Sequence, residues 1–216
     1  MKRLYHLAAL AALYSTSAAA PKTLLEMTHA VPAMPPLTEC AVLIIDAQRE
    51  YVDGRLPLAG VTAALHQTAR LLERARAAHV PIIHIQQISS AGRGVFERGG
   101  PLVAFAPEAA PLPGEVIIPK TLPNAFAGTT LAEVLRKRGR THVIISGYMT
   151  HMCVSATARA ALDFGFKNTV IADACATRDL RAADGGTLSA DIVHRVALAE
   201  LMDRFSNVVP SLDSIP

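Results

Sequence analysis

Five apolar residues in a row, Ala41-Val42-Leu43-Ile44-Ile45, stop abruptly at Asp46. A run without polar alternation suits a strand covered on both faces, as in a parallel sheet wrapped by helices. β-Type runs recur at residues 81–86, 115–119, 141–146 and 168–172, with a short one at 207–210. Helical segments are expected between them, at residues 61–79, 129–138, 152–164 and 188–205, the second closed by Gly139 and the third by Gly165. Strands alternating with helices predict an α/β domain with a parallel sheet and helices on both faces. In such open sheets ligands bind beyond the carboxyl ends of the strands.

Composition narrows the function classes. The 216 residues are enough for one domain with a sizeable core. A formal charge of +3 is small, and the longest basic run, Arg136-Lys137-Arg138, reads as a solvated helix face. Nucleic-acid binding is therefore not expected. The three cysteines, Cys40, Cys153 and Cys175, are odd in number and form no CxxC pair, so no thiolate metal site is expected. Cys40 and Cys175 lie in apolar strand contexts and read as small core residues.

Residues 1–20 combine a basic start, an apolar stretch from Leu4 to Tyr14 and a run of small residues. This is the pattern of a secretory signal peptide, too short to span a bilayer as a mature helix. The alternative is an ordinary leader, with the chain proper beginning at Met27. Residues 21–36 are Pro-rich and read as a leader or linker, and the folded domain is expected over 37–216. The expected location is the periplasm if the signal is used and the cytoplasm if it is not.

Three reactive residues fall at predicted strand ends: Asp46, Lys120 and Cys153. A free thiol has a pKa of about 8.5 and is mostly protonated at neutral pH. Cys153 follows a strand and a glycine turn and opens a predicted helix, where unpaired N–H groups and the helix dipole favour a thiolate. Asp46 could accept the thiol proton and return it to a leaving amine. Lys120 would stabilise both anions through its long stem. Each residue also has an ordinary reading: a turn former, a surface lysine and a buried thiol.

The blocks that carry these residues are Asp46-Ala47-Gln48-Arg49-Glu50-Tyr51, Pro119-Lys120 followed by Asn124-Ala125-Phe126-Ala127-Gly128-Thr129-Thr130-Leu131, and Gly147-Tyr148-Met149-Thr150-His151-Met152-Cys153-Val154 with Thr157-Ala158. In this order they resemble the isochorismatase-like cysteine hydrolases, a superfamily of nicotinamidases, carbamoylases and isochorismatases, over residues 37–209. The resemblance implies a three-layer α/β/α fold with six parallel strands ordered 3-2-1-4-5-6. It implies an Asp46–Lys120–Cys153 triad and a cis peptide between Tyr148 and Met149. The backbone N–H groups of Met149 and Cys153 would bind an oxyanion. Tyr51, Phe126 and Tyr148 match positions that line the family's pocket, and His84, near the end of the second strand, is a further candidate. Core packing is the alternative for these aromatic and histidine side chains.

Metal-binding nicotinamidases carry an Asp-x-His just after the Tyr51 region. Here Asp53-Gly54-Arg55 stands instead, so no catalytic metal and no cofactor are expected. Isochorismatases proper hydrolyse a vinyl ether without needing the thiol. Retention of Cys153 therefore favours cleavage of a small molecule's C–N bond (amide, ureido or carbamoyl) through a thioester. Vinyl-ether hydrolysis and a non-catalytic binding role on the same scaffold are the alternatives. The expected partners are a small-molecule substrate and further copies of the chain, as a homodimer or higher oligomer. The Gly-rich stretch 87–114 is expected over the pocket or at a subunit contact, with Arg93, Phe96 and Arg98 as candidates to select an anionic or aromatic substrate.

Overall fold

A computed structural model describes residues 20–216. The expected signal peptide thus lies, but for Ala20, outside the described residues. The centre is a parallel sheet of six strands: β1 (Ala41–Ile45), β2 (Ile82–Gln87), β3 (Val116–Lys120), β4 (His142–Tyr148), β5 (Lys167–Ala176) and β6 (Asn207–Val209). Their spatial order is β3-β2-β1-β4-β5-β6, the order that the resemblance implies.

β1 is the middle of this sheet, and all five of its residues are fully buried. Val42 and Ile44 pack into a cluster with Leu65, Leu71 and Leu72 of α2 (Val61–Ala77). Leu43 and Ile45 pack on the other face, with Leu131 and Leu135 of α3 (Leu131–Lys137), Ala158 and Ala161 of α4 (Ser155–Asp163) and Leu201 of α5 (Ala190–Arg204). The unbroken apolar run has this cause: successive side chains serve opposite layers, and both layers are dry. Burying four such aliphatic side chains contributes about 6–12 kcal/mol before entropy is counted.

Three boundaries differ from the sequence reading. Residues 21–36 are not a detached leader. They include a one-turn helix, α1 (Leu24–Met27), which Thr23 caps and which packs on α5. The Leu24 N–H donates to Asp203 at 2.9 Å, and Asn207 donates to the Pro32 carbonyl at 3.1 Å. β5 extends to Ala176, beyond the expected 172, because it shifts register against β4 between Ile145 and Gly147 and then resumes pairing. Cys153 does not open α4. It lies in a separate π-helical turn, Thr150–Val154, that precedes it.

His84 also departs from expectation. It is fully buried in mid-strand on the α2 side of the sheet, the face opposite Lys120, and does not line the pocket. Its Nε2 lies 2.9 Å from Glu115, and burial pushes its pKa down, so the neutral ring donates to the carboxylate. Glu115 also accepts from Arg76 of α2 at 2.7 and 3.0 Å and from the Leu112 N–H at 2.9 Å. Burial alone would raise Glu115, but these donors outweigh it and hold the carboxyl at about 2, against an ordinary 4.5. The group therefore stabilises the fold above the ordinary value, and the gain is lost as pH falls from about 4.5 towards 2. Glu115→Gln is expected to lower stability by about 2 kcal/mol at pH 7, with the gap to wild type closing as pH approaches 2. Urea denaturation of both proteins across this range measures it.

Candidate active site

The sequence ends β1 with an aspartate, and the backbone turns there. The Asp46 N–H still donates to Ile85 of β2 at 3.1 Å, but its φ of 51° takes the chain out of the sheet. Aspartate is among the few residues that accept this left-handed conformation at modest cost. Lys120 is the last residue of β3, two strands away, and its stem must cross the end of β2 to reach Asp46. Neighbouring strands are about 4.8 Å apart, so a long unbranched side chain suits the position. Its Nζ lies 2.7 Å from Asp46 Oδ2 and 3.4 Å from Cys153 Sγ. All three residues are buried: Asp46 at 0%, Lys120 at 2% and Cys153 at 4% exposure.

Two glutamines complete the arrangement, and sequence reasoning passed over both. Gln87, at the end of β2, accepts from Lys120 Nζ at 2.6 Å. Gln48 is fully buried and ties this strand end down, donating to the Gln87 carbonyl at 3.0 Å and accepting from the Gln87 N–H at 2.8 Å. It also donates to the Val103 carbonyl at 2.7 Å, fastening the long loop to the site. The available signal was a polar pair, Gln86-Gln87, closing a strand that is apolar but for His84.

The electrostatics correct one expectation. Cys153 is not poised as a thiolate. Burial, then the negative charge of Asp46, push its thiol up to about 12, more than the Lys120 ammonium lowers it. Burial likewise raises Asp46, opposed first by the charge of Lys120 beside it. The resting sulfur is therefore a thiol, with Lys120 in contact with both it and Asp46.

The four predicted pocket residues have separate fates. Tyr51 is buried close to the triad, where the charges of Asp46 and Cys153 raise its phenol further after burial. It meets Phe96 edge-on at 5.0 Å and Tyr148 at 5.9 Å. Tyr148 is fully buried in the core cluster that also holds Tyr51. Phe126 stacks on Phe164 and Phe166 at 4.9 and 5.8 Å and belongs to the same core cluster as Cys153. His84 belongs to the Glu115 cluster described above. Among the described residues no three His, Cys, Asp or Glu side chains group closely enough to hold a metal ion.

The Tyr148–Met149 peptide is cis, as the resemblance implied. Gly147, just before it, has φ 129° and lies against β1 so closely that a Cβ would stand 2.0 Å from the Ile45 carbonyl oxygen. Thr157 of α4 holds the Ala125 N–H at 3.0 Å and so fixes the segment that follows Lys120.

This fold and site define a hydrolase class, and comparison with known proteins agrees. Residues 40–211 match the family model described as "Isochorismatase domain", and the chain belongs to that family, within the isochorismatase-like cysteine hydrolases. It is 39% identical over 184 residues to the "Secreted isochorismatase effector Isc1" of Verticillium dahliae, covering 83% of this chain and 94% of that one. It is 34% identical over 154 residues to a maleamate amidohydrolase of Pseudomonas putida, covering 64% and 72%. An isochorismatase crystal structure from Pseudomonas putida superposes with a TM-score of 0.84 at 40% identity, covering 88% and 97%. A cysteine hydrolase from Pseudomonas syringae superposes with a TM-score of 0.80 at 26% identity, covering 86% and 94%. The protein is a hydrolase.

The contact at Gly147 makes a sharp prediction. Gly147→Ala must push β4 off β1 or abandon its own backbone angle. It is expected to cost about 3 kcal/mol or more, whereas Gly165→Ala, with open space around its Cβ position, should cost less through its φ of 83° alone. Thermal denaturation of the two variants compares them.

Proposed function

We propose that the protein cleaves a C–N bond of a small amide, ureide or carbamoyl compound through a thioester on Cys153. The observation that carries this reading is the dry contact of one ammonium, Lys120, with both a carboxylate and a thiol. Such a trio allows a proton to move from sulfur to oxygen without building net charge in a low-dielectric site.

The steps follow from the resting protonation. Asp46 takes the thiol proton as Sγ attacks the carbonyl carbon. Charge moves from the carboxylate to the substrate oxygen, and the Met149 and Cys153 N–H groups stabilise that oxyanion. Asp46, now protonated, gives its proton to the nitrogen as the C–N bond breaks. The amine leaves, water attacks the thioester with Asp46 as base, and the acid departs. Lys120 holds Asp46 within reach of sulfur. Amide cleavage is favoured over vinyl-ether hydrolysis because the thiol lies within this contact, and the name of the maleamate amidohydrolase supports the same choice.

Export is part of the reading, supported by the signal-like residues 1–20 and by a relative whose name calls it secreted. Sequencing the amino terminus of the mature protein tests it: a start near residue 20 is expected, and a retained Met1 would exclude it.

Two measurements test the chemistry. Mass spectrometry after exposure to an activated amide or an aldehyde is expected to find the label on Cys153. Cys153→Ala should reduce amide turnover at least a thousandfold, and label on Cys40 or Cys175 instead would refute the reading. The second is the pH profile. Attack needs Asp46 ionised, and its pKa is raised, so kcat/KM should fall on the acid side with an apparent pKa above the ordinary 3.8. Because the reacting form of Cys153 is the thiol, no rise near pH 8–9 is expected.

A further inference from the structure

Resting on that proposed chemistry, we infer that Thr150 and His194 are positioning residues. They tie the turn that carries Cys153 to the end of β5 and to α5, and so keep the Met149 and Cys153 N–H groups aimed at one oxyanion. They act through the backbone and not on the substrate.

Thr150–Val154 is a single π-helical turn, a rare element found mostly at functional sites. Two of its bonds converge on one acceptor, the Met149 carbonyl, which receives the Met152 N–H at 3.0 Å and the Val154 N–H at 3.2 Å. The first residue of the turn, Thr150, is fully buried. Its hydroxyl donates to the Ala176 carbonyl at the end of β5, at 3.1 Å. A hydroxyl has one proton, so Thr150 can only accept from His194, whose Nδ1 lies 2.9 Å away. Burial holds His194 below the ordinary 6.5, so the ring is neutral, with its proton on Nδ1 and Nε2 bare.

His194 is offered from a fixed place. α5 packs on the turn, and its start is held at two points: Ser189 accepts the Ile192 N–H at 3.4 Å, and Asp179 accepts the Ala190 N–H at 2.8 Å. A second tie secures the next residue of the turn. His151 Nδ1 lies 2.5 Å from the Thr177 hydroxyl, and the Thr177 carbonyl accepts from the Ala59 N–H at 3.1 Å. Thr150 directly follows Met149 and stands three residues before Cys153. One buried hydroxyl, shared between a strand end and a helix, therefore governs where both oxyanion donors point. Misplacing such groups by about 1 Å costs on the order of a hundredfold in rate.

Two reagents separate this from a general structural role. Propionaldehyde adds to Cys153 by forming an S–C bond. The thiol proton passes to Asp46, and the carbonyl oxygen becomes an oxyanion that needs the two N–H groups. Iodoacetamide alkylates the same sulfur as iodide leaves, and no oxyanion forms. Thr150→Val and His194→Phe are expected to weaken aldehyde binding roughly 10- to 100-fold, while alkylation of Cys153 stays within about twofold of wild type. The phenyl ring has room, because His194 borders a cavity of about 390 Å³. Thr150→Ser keeps the hydroxyl and His194→Asn keeps an N–H donor where Nδ1 stands, so each should restore most of the affinity. Unchanged aldehyde binding in Thr150→Val and His194→Phe, or equal loss with both reagents, overturns the inference. NMR of protein labelled at the histidine nitrogens is expected to find His194 protonated on Nδ1 and bare on Nε2. A ring protonated on Nε2 alone overturns the inference whatever the enzyme hydrolyses. Wild-type Cys153 that takes up no aldehyde refutes the thioester chemistry, and the inference with it.

Discussion

The ammonium of Lys120, held between Asp46 and Cys153, is the interaction on which the site depends. A carboxylate buried without a counter-charge would take up a proton and cease to be a base. An ammonium buried alone would be equally costly, and a pair in a dry interior seldom stabilises a protein in net terms. The apolar core on both faces of β1, packed against its covering helices, must offset that cost.

Positioning explains much of the surrounding sequence. Lys120 and Asp46 are separated by β2, so the end of β2 must be polar and still. Gln87 meets both needs, as an acceptor for the ammonium and as the point where Gln48 grips the strand. The sulfur approaches from the opposite side, on the turn after β4. Gly147 lets β4 lie against β1 where any side chain would collide with Ile45. The three groups meet because β3, β2, β1 and β4 are consecutive neighbours in the sheet.

The fold was legible because it rests on patterns that repeat along the chain. Unbroken apolar runs marked the strands, and their spacing marked the crossovers. Asp46, Lys120 and Cys153 were legible because strand ends are where such sheets place chemistry. The pocket was less so. His84 sits in sequence close to site residues, yet it faces the other side of the sheet from Lys120. Sequence proximity does not give side-chain direction. Gln48 and Gln87 were missed for the converse reason: an amide carries no charge or nucleophile to draw notice, and its role exists only in the partners that the fold provides. Residues 21–36 misled through composition, since prolines mark irregular backbone whether it is free or packed.

The sequence argument for a thiolate failed on magnitude. A helix terminus offers a partial charge that stabilises an anion by about 0.3–1 kcal/mol near the surface, which is less than one pKa unit. Burial and a neighbouring carboxylate act in the opposite direction and together raise Cys153 to about 12. This does not weaken the site as a catalyst. A permanent thiolate beside Asp46 would place two anions against one ammonium in a dry pocket, whereas a thiol leaves the trio neutral until a carbonyl arrives. The negative charge then passes from Asp46 through sulfur to the substrate oxygen, and at no stage does the pocket hold a second anion.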